Sequence, residues 1–220
     1  TGDGYHLWSK TFDRELGDIF AVQDEIAAAI SNSLKSELLG AEQARQTNGG
    51  TNNAEAYQAY LMGMHYRNRG ALRETVRHAA DAFQRAIDLD PGYSKAYAGL
   101  AFTWNDLVWN GYESQENGLR QMNLAASKAI ELAPGLADGH LALGLSLQMD
   151  YQKQRSAENA INRAMDLNPG NTTVLIEYSR IHCNLGNHEA SIVAARRALE
   201  LDPVSVYANH WLGHALYFSR

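Results

Sequence analysis

The sequence predicts an all-α fold in which similar helix pairs stack into a solenoid, and a recurring phrase is the main reason. Residues 86–91, Ala-Ile-Asp-Leu-Asp-Pro, return with small changes at residues 129–134, 164–169 and 198–203. All 4 prolines of the 220-residue chain lie in this phrase, at intervals of 43, 35 and 34 residues. A period near 34 residues is typical of a helix–turn–helix unit that buries its apolar face against neighbouring copies.

Each phrase predicts the end of the second helix of a unit. Between Asn187 and Leu201, apolar or small residues recur at helical spacing. The proline that follows such a helix has no N–H to continue it and disfavours the α conformation of the preceding residue. Helical periodicity resumes after each proline, so we expect the first helices of the next units at residues 94–110, 137–149, 172–184 and 206–218.

Small residues recur where the two helices of a unit should cross, because helix axes that lie about 8–10 Å apart need small side chains at the contact. The first helices carry them at Gly63, Ala101, Gly144, Ser179 and Gly213. The second helices carry them at Ala86, Ala129, Ala164 and Ala198. The repeated unit is therefore predicted to be an architectural element.

These positions resemble the tetratricopeptide repeat, in which Leu-Gly, Tyr, Gly, Ala, Phe, Ala and Pro occur in this order with other residues between them. The first repeat supplies Met62, Gly63, Tyr66, Gly70, Ala79, Phe83, Ala86 and Pro91. The resemblance covers residues 54–220 as about four and a half repeats, and the second departs by about nine additional residues around 109–115. It implies a non-enzymatic module for protein–protein interaction that binds a partner segment in its concave groove.

The first forty residues follow a different pattern. Residues 5–13 alternate as a short strand, and Asp18 can cap a following helix. The apolar stripe of that helix is Ile19, Val22, Ile26, Ile30, Leu34 and Leu38. One strand and one helix cannot bury both their apolar faces, so we expect residues 1–40 to be the remnant of an α/β domain. The polar residues 41–53 are then a linker.

Residues 4–34 are similar to the end of the TolB-like domain of bacterial multidomain signalling proteins. In that family the domain leads into tetratricopeptide repeats, and a class III adenylate cyclase or a winged-helix regulator lies upstream. The resemblance implies the alternative function, a sensory or regulatory region of a larger signalling protein whose effector module is absent from this chain. An unpaired strand edge also invites pairing, so a homodimer through the N-terminal strand and helix is a further expectation.

Composition and motifs give little support to other functions. The formal net charge is -6 with both signs interspersed, and no apolar run approaches the roughly 18 residues of a membrane span. We therefore expect no nucleic-acid binding through this region and no membrane segment. A single cysteine, Cys183, excludes an internal disulfide framework and fits a reducing compartment, so we expect the cytoplasm.

No catalytic or cofactor motif stands out. His210 and His214 are spaced as metal ligands on one helical face, but no third ligand is evident and both lie on the groove face. Cys183 has no readable histidine and acid context for a nucleophile. Repetition by architecture accounts for the acidic residues that recur once per repeat, Asp88, Glu131, Asp166 and Glu200. The sequence therefore predicts no enzyme, no metal and no cofactor.

The first helices of stacked pairs line the concave surface, so counting from each small crossing residue gives the positions that should face a partner. The predicted groove residues are Tyr57, Tyr60, Met64, Arg67, Phe102, Asn105, Leu141, Leu145, Gln148, Ile176, Arg180, His210 and His214. Lys95, Asp106 and Asp138 also fall on this face.

The aromatic and aliphatic members of this set predict a protein or peptide partner with apolar or aromatic anchors. Related domains grip carboxylates with Lys, Asn and Arg, but the equivalents here are mostly Tyr, Ala, Phe, Leu and Ile. That clamp is therefore not expected. Trp109 and Tyr112, in the insertion of the second repeat, are the alternative binding site.

Overall fold

The structure is a computed structural model that describes residues 49–70 and 72–219, and these contain nine α-helices and no strand. The helices are α1 Ala54–Asn68, α2 Arg73–Leu89, α3 Ser94–Trp109, α4 Gln115–Leu132, α5 Ala137–Gln148, α6 Gln154–Leu167, α7 Thr172–Asn184, α8 His188–Leu201 and α9 Val206–Phe218. A short 3-10 helix, Tyr151–Lys153, precedes α6. The predicted strand around Trp8, the apolar stripe that starts at Ile19 and most of the linker lie outside the described residues.

The helices form a regular succession of pairs, α1–α2, α3–α4, α5–α6 and α7–α8, while α9 packs on α7 and α8. Each first helix contacts the first helix of the next pair. By contrast, the second helices α2, α4, α6 and α8 do not contact one another within the described part of the chain. The row of first helices is therefore the closely packed, inner side of the solenoid. Over the same described ranges, no helix has the length and apolarity needed to cross a bilayer.

The recurring proline phrase ends each second helix in the same way. Asp90, Ala133, Asn168 and Asp202 precede the prolines with φ between -138 and -147 and ψ between 74 and 93. Each donates its backbone N–H to the carbonyl of the crossing alanine, for example Asp90 to Ala86. The four first helices predicted to follow the prolines begin at the expected residues and end within one residue of the prediction.

The small crossing residues allow close helix contacts, as predicted. A Cβ atom on Gly63 would lie 2.8 Å from the Phe83 ring, and one on Gly99 would lie 2.5 Å from it. Phe83 thus fills the space left by two glycines from neighbouring units. Gly144 leaves the same kind of space for Ile161, because a Cβ atom on Gly144 would lie 2.5 Å from the Ile161 side chain. The four crossing alanines of the second helices are fully buried.

Gly213 differs from its counterparts in the earlier units. Nothing in the described part of the chain lies within 4 Å of a Cβ atom built on it, and the residue is exposed. The expectation that it supports a helix crossing is therefore corrected, since no second helix lies over it there.

The additional residues of the second unit are mostly helical, which corrects their expected placement around residues 109–115. Helices α3 and α4 have 16 and 18 residues, whereas α7 and α8 have 13 and 14. Only about two of the additional residues lengthen the connection between the helices. Trp109 is consequently the last residue of α3, where 78% of it is exposed.

Candidate partner-binding surface

The inner surface is formed by the faces of α1, α3, α5, α7 and α9 that point away from the second helices. The structure places the predicted groove residues at different depths. Tyr57 and His210 are exposed. Those of intermediate exposure are Tyr60, Met64, Arg67, Asn105, Gln148, Ile176, Arg180 and His214.

Three predicted groove residues lie beneath this surface. Phe102 and Leu145 are each 8% exposed and Leu141 is fully buried, all within the main hydrophobic core. The aromatic and aliphatic members of the predicted groove set therefore do not form one continuous accessible surface. The physical reason is that α3 and α5 pack directly against each other and against α1 and α7, which covers side chains that a single helix pair would leave open. Counting positions along one helix cannot predict this burial, because it depends on packing between neighbouring helices.

Arg67 covers the aromatic ring at the bottom of the groove. Its guanidinium lies 4.8 Å from the centre of the Phe102 ring, and its Nε is 3.3 Å from Oδ2 of Asp106. The ion pair joins α1 to α3 and is about one third exposed on each side, so it contributes only about 0–1 kcal/mol to stability. Arg67 thus presents a polar surface where the sequence predicted an aromatic one.

Two carboxylates on neighbouring first helices are partly removed from water. Burial raises the pKa of Asp106, and the nearby Arg67 opposes that change. Burial also raises the pKa of Asp138, with Arg67 and Lys95 opposing it. Asp138 makes no hydrogen bond and no ion pair with the described residues, whereas Asp106 pairs with Arg67. We call Arg67, Lys95, Asp106 and Asp138 the charged half of the inner surface.

Tyr60 connects the charged half to an aromatic cluster. Its ring centre lies 5.7 Å from that of Phe83 and 5.2 Å from that of Tyr93. Burial raises the pKa of the Tyr60 hydroxyl, and the negative charge of Asp138 raises it further. Helices α1 and α5 do not contact each other, so the charge of Asp138 acts on Tyr60 without direct packing of their two helices. Next to Tyr60 along α1, Tyr57 is 51% exposed and offers an aromatic face to a partner.

Gln148 lies at the opposite end of α5 from Asp138. Its Nε2 is buried and has no hydrogen-bond partner in the described part of the chain. Such a buried donor costs about 1–3 kcal/mol of stability. Helix α5 therefore carries two polar groups without a hydrogen-bond partner among the described residues, the Asp138 carboxylate in its first turn and Nε2 of Gln148 at its last residue.

The C-terminal part of the inner surface has a different chemistry. The Cys183 Sγ lies 3.2 Å from Nδ1 of His214 and 4.0 Å from Nδ1 of His188. We call these three residues the thiol–imidazole cluster. Burial raises the pKa of the Cys183 thiol, which disfavours the reactive thiolate. In the ranges 49–70 and 72–219, no group of three His, Cys, Asp or Glu side chains has an arrangement that could hold a metal ion.

The sequence analysis placed Lys95, Asp106 and Asp138 on the inner face but assigned them no role. Arg67 and Asp106 stand 39 residues apart, close to one repeat, so opposite charges at neighbouring groove positions were a usable signal. The alternative site at the second repeat is half covered, because Tyr112 lies under the Arg73 guanidinium at 5.9 Å while Trp109 is exposed.

Comparison with known proteins agrees with this architecture. Residues 173–205 match the family model of the tetratricopeptide repeat. A thermophilic tetratricopeptide-repeat protein of Thermus thermophilus superposes with a TM-score of 0.61 at 18% identity, over 87% of this chain and 95% of that one. The MamA protein superposes with a TM-score of 0.50 at 18% identity, over 75% of this chain and 82% of MamA. Residues 173–205 thus match one tetratricopeptide repeat, and the described part of the chain has the helical-solenoid fold of proteins built from such repeats.

Two longer proteins share sequence with this chain. It is 33% identical over 151 residues to "Putative adenylate cyclase 3" of Rhizobium meliloti, an alignment that covers 66% of this chain and 24% of that protein. It is 30% identical over 129 residues to cellulose synthase operon protein C of Pseudomonas fluorescens, over 56% of this chain and 10% of that protein. The chain therefore spans about a quarter and a tenth of the lengths of these relatives.

Proposed function

We propose that the inner surface binds a segment of a partner protein and that the chain has no catalytic role of its own. The observation that carries this proposal is the unused bonding capacity of α5, flanked by accessible aromatic side chains. The Asp138 carboxylate and Nε2 of Gln148 lack partners in the described part of the chain, while Tyr57 and Tyr60 offer rings along α1. Polar groups left unpaired in a folded protein favour a ligand that pairs them.

The accessible residues define the contacts that a partner segment makes. Tyr57, Tyr60, Met64 and Ile176 supply partly exposed apolar or aromatic surface. Arg67, Asn105, Gln148 and Arg180 supply polar groups beside them, and His210 and His214 extend the surface onto α9. Phe102, Leu141 and Leu145 support this surface from below and shape it without touching the partner.

Selection of binding peptides tests the proposal without a known partner. A phage-displayed library of random nonapeptides is selected on the immobilised chain, and enriched peptides are synthesised with a fluorescent label. We expect Tyr57→Ala and Asn105→Ala to weaken binding by about 1–2 kcal/mol, because both change the inner surface. Leu124→Ala, which removes an exposed side chain from α4, is the control and should bind like the parent. Loss of binding in the control alone contradicts the inner-surface assignment.

A second function is the regulatory region of a larger signalling protein, which the similarity to the Rhizobium meliloti protein supports. In this proposal residues 1–40 are the end of a TolB-like domain and the repeats transmit partner binding to a cyclase or a winged-helix module. Determining the coding sequence around this segment and assaying the encoded protein for cyclic AMP formation or DNA binding tests it. A coding sequence with neither module contradicts it and leaves the interaction proposal intact.

A further inference from the structure

We infer that the inner surface recognises an extended segment that carries a lysine or arginine, and that this side chain binds the Asp138 carboxylate in the cleft beside it. The inference rests on the proposed function and names the chemistry of the segment. It differs from the apolar anchors expected from the sequence, because Leu141 and Leu145 are buried in the core and Phe102 lies under the Arg67 guanidinium.

Asp138 is a carboxylate placed to receive a cation. It lies on the inner face at the start of α5, is partly removed from water, and has no hydrogen-bond or ion-pair partner within the described ranges. A cleft of about 350 Å³ opens beside it, and the residues that line this cleft are Lys95, Gly135, Leu136, Ala137, Asp138, Leu167, Asn168 and Asn171. Besides Asp138, the polar side chains of the cleft are one cation, Lys95, and the two amides of Asn168 and Asn171.

The protein's own cations leave this carboxylate available. Arg67 is engaged by Asp106 at 3.3 Å and by the Phe102 ring at 4.8 Å. Lys95 is the other cation whose charge acts on Asp138, yet its ammonium is farther away than the 4 Å of an ion pair. A basic side chain from a partner therefore competes with the charges of Arg67 and Lys95, neither of which forms an ion pair with Asp138 in the described part of the chain. This competition predicts opposite effects for substitutions of Asp138 and Lys95.

Gln148 indicates that the bound segment is extended along α5. Asp138 and Gln148 are ten residues apart in one helix, which places them about 15 Å apart along its axis. An extended chain covers this distance in about four or five residues. By turning its amide towards the groove, Gln148 donates to a main-chain carbonyl of the segment and leaves the buried position where its Nε2 has no partner.

The composition of the selected nonapeptides tests the inference. We expect lysine or arginine to be enriched at one position of the peptides that bind the parent chain. For a labelled peptide from that set, Asp138→Asn should weaken binding about tenfold, because a charge-assisted contact is lost. Lys95→Met should strengthen the same binding severalfold by removing a competing cation. Asp81→Asn, which removes an equal charge from the exposed surface of α2, is the matched control and should leave the affinity unchanged.

The outcomes separate this inference from the proposed function. If no peptide binds the parent chain, the proposed function fails and the inference with it. If peptides bind without basic enrichment, or if Asp138→Asn binds as tightly as the parent, the interaction stands and the inference is overturned. If Lys95→Met weakens binding and Asp138→Asn strengthens it, the cleft takes an acidic segment and the inference is likewise overturned. Circular dichroism of each variant confirms that its helical content is unchanged, so an affinity change reports the contact.

Discussion

The charged half of the inner surface and the thiol–imidazole cluster stand on the same helical scaffold and differ in almost every other respect. The first joins three successive first helices through Arg67, Lys95, Asp106 and Asp138, with both signs of charge and one carboxylate that has no ion-pair partner among the described residues. The second gathers Cys183, His188 and His214 around a neutral, buried thiol. The comparison teaches that the repeats determine where inner side chains stand, while the residues at those positions determine what they can bind.

The two regions also differ in how their helices cross. In the first two units one ring, Phe83, occupies the space beside Gly63 and Gly99. In the fourth unit Ser179 and Ser191 meet instead, with their hydroxyl oxygens 2.9 Å apart and fully buried. An apolar ring in the first two units and a pair of hydroxyls in the fourth thus lie at the helix crossings, and they should respond very differently to substitution.

The largest expected effect tests this difference in packing. Phe83→Ala should lower the free energy of unfolding by about 3–5 kcal/mol, because it opens a cavity beside two glycine contacts. Ser191→Ala, at the helix crossing of the fourth unit, should cost about 1–3 kcal/mol, because it leaves the Ser179 hydroxyl without its partner. Urea unfolding followed by circular dichroism measures both. Equal losses would show that Phe83 does not hold the first two units together.

A second comparison separates two residues that the sequence assigned to the same groove. Phe102→Ala should lower the free energy of unfolding by about 3 kcal/mol, because Phe102 is a core residue that also supports Arg67. Tyr57→Ala, by contrast, should change stability by less than about 0.5 kcal/mol, since its ring is half exposed. Thermal unfolding of both variants compares their stabilities and so tests whether the Phe102 side chain is buried or exposed. A Phe102 variant as stable as the Tyr57 variant contradicts the burial.

Gln148→Leu should raise the free energy of unfolding by about 1 kcal/mol. Leucine keeps most of the volume and removes a buried donor that has no partner in the described part of the chain. The same variant should bind the selected peptide more weakly, so stability and binding change in opposite directions. Gln84→Leu, on the exposed face of α2, provides the control and should give no such gain. A loss of stability in Gln148→Leu would mean that the amide is paired in solution.

The C-terminal part of the protein should respond to acid through His182. This imidazole is buried between Asn162 and Asn187, at 3.1 and 3.3 Å, and burial lowers its pKa. Because the folded-state pKa is lowered, its contribution to stability is present above the unfolded value of about 6.5 and is lost as the pH falls through the lowered pKa. Unfolding measured from pH 8 to pH 5 should show that loss in the parent.

The matched variants assign the acid response to one residue. His182→Asn should flatten the decline in stability with falling pH, whereas His78→Asn, at an exposed position, should retain it. If stability declines with falling pH to the same extent in His182→Asn as in the parent, another residue causes the acid response.

The opposite pH dependence is expected for Asp138, because burial raises its pKa. Asp138→Asn should be more stable than the parent at neutral pH, and it should lose that advantage as acid protonates Asp138 in the parent.

The sequence predicts the scaffold closely and the binding surface only in part. The proline phrase and the crossing alanines fix helix ends and contacts within a unit, because both depend on residues near each other in the chain. The depth of Phe102, Leu141 and Leu145 depends on how tightly α3 and α5 approach, which is set by packing between units. The pairing of Arg67 with Asp106 and the isolation of Asp138 likewise arise only after the units stack.

The most direct test of the account is to label carboxylates in the presence and absence of a bound peptide. A carbodiimide and glycine amide modify accessible Asp and Glu side chains, and mass spectrometry of proteolytic fragments gives the rate at each residue. The account predicts that a selected basic nonapeptide slows labelling of Asp138 severalfold and leaves Asp81 and Asp166, on second helices, unchanged. Unaltered labelling of Asp138 with the peptide bound, or protection of Asp81 instead, would contradict it.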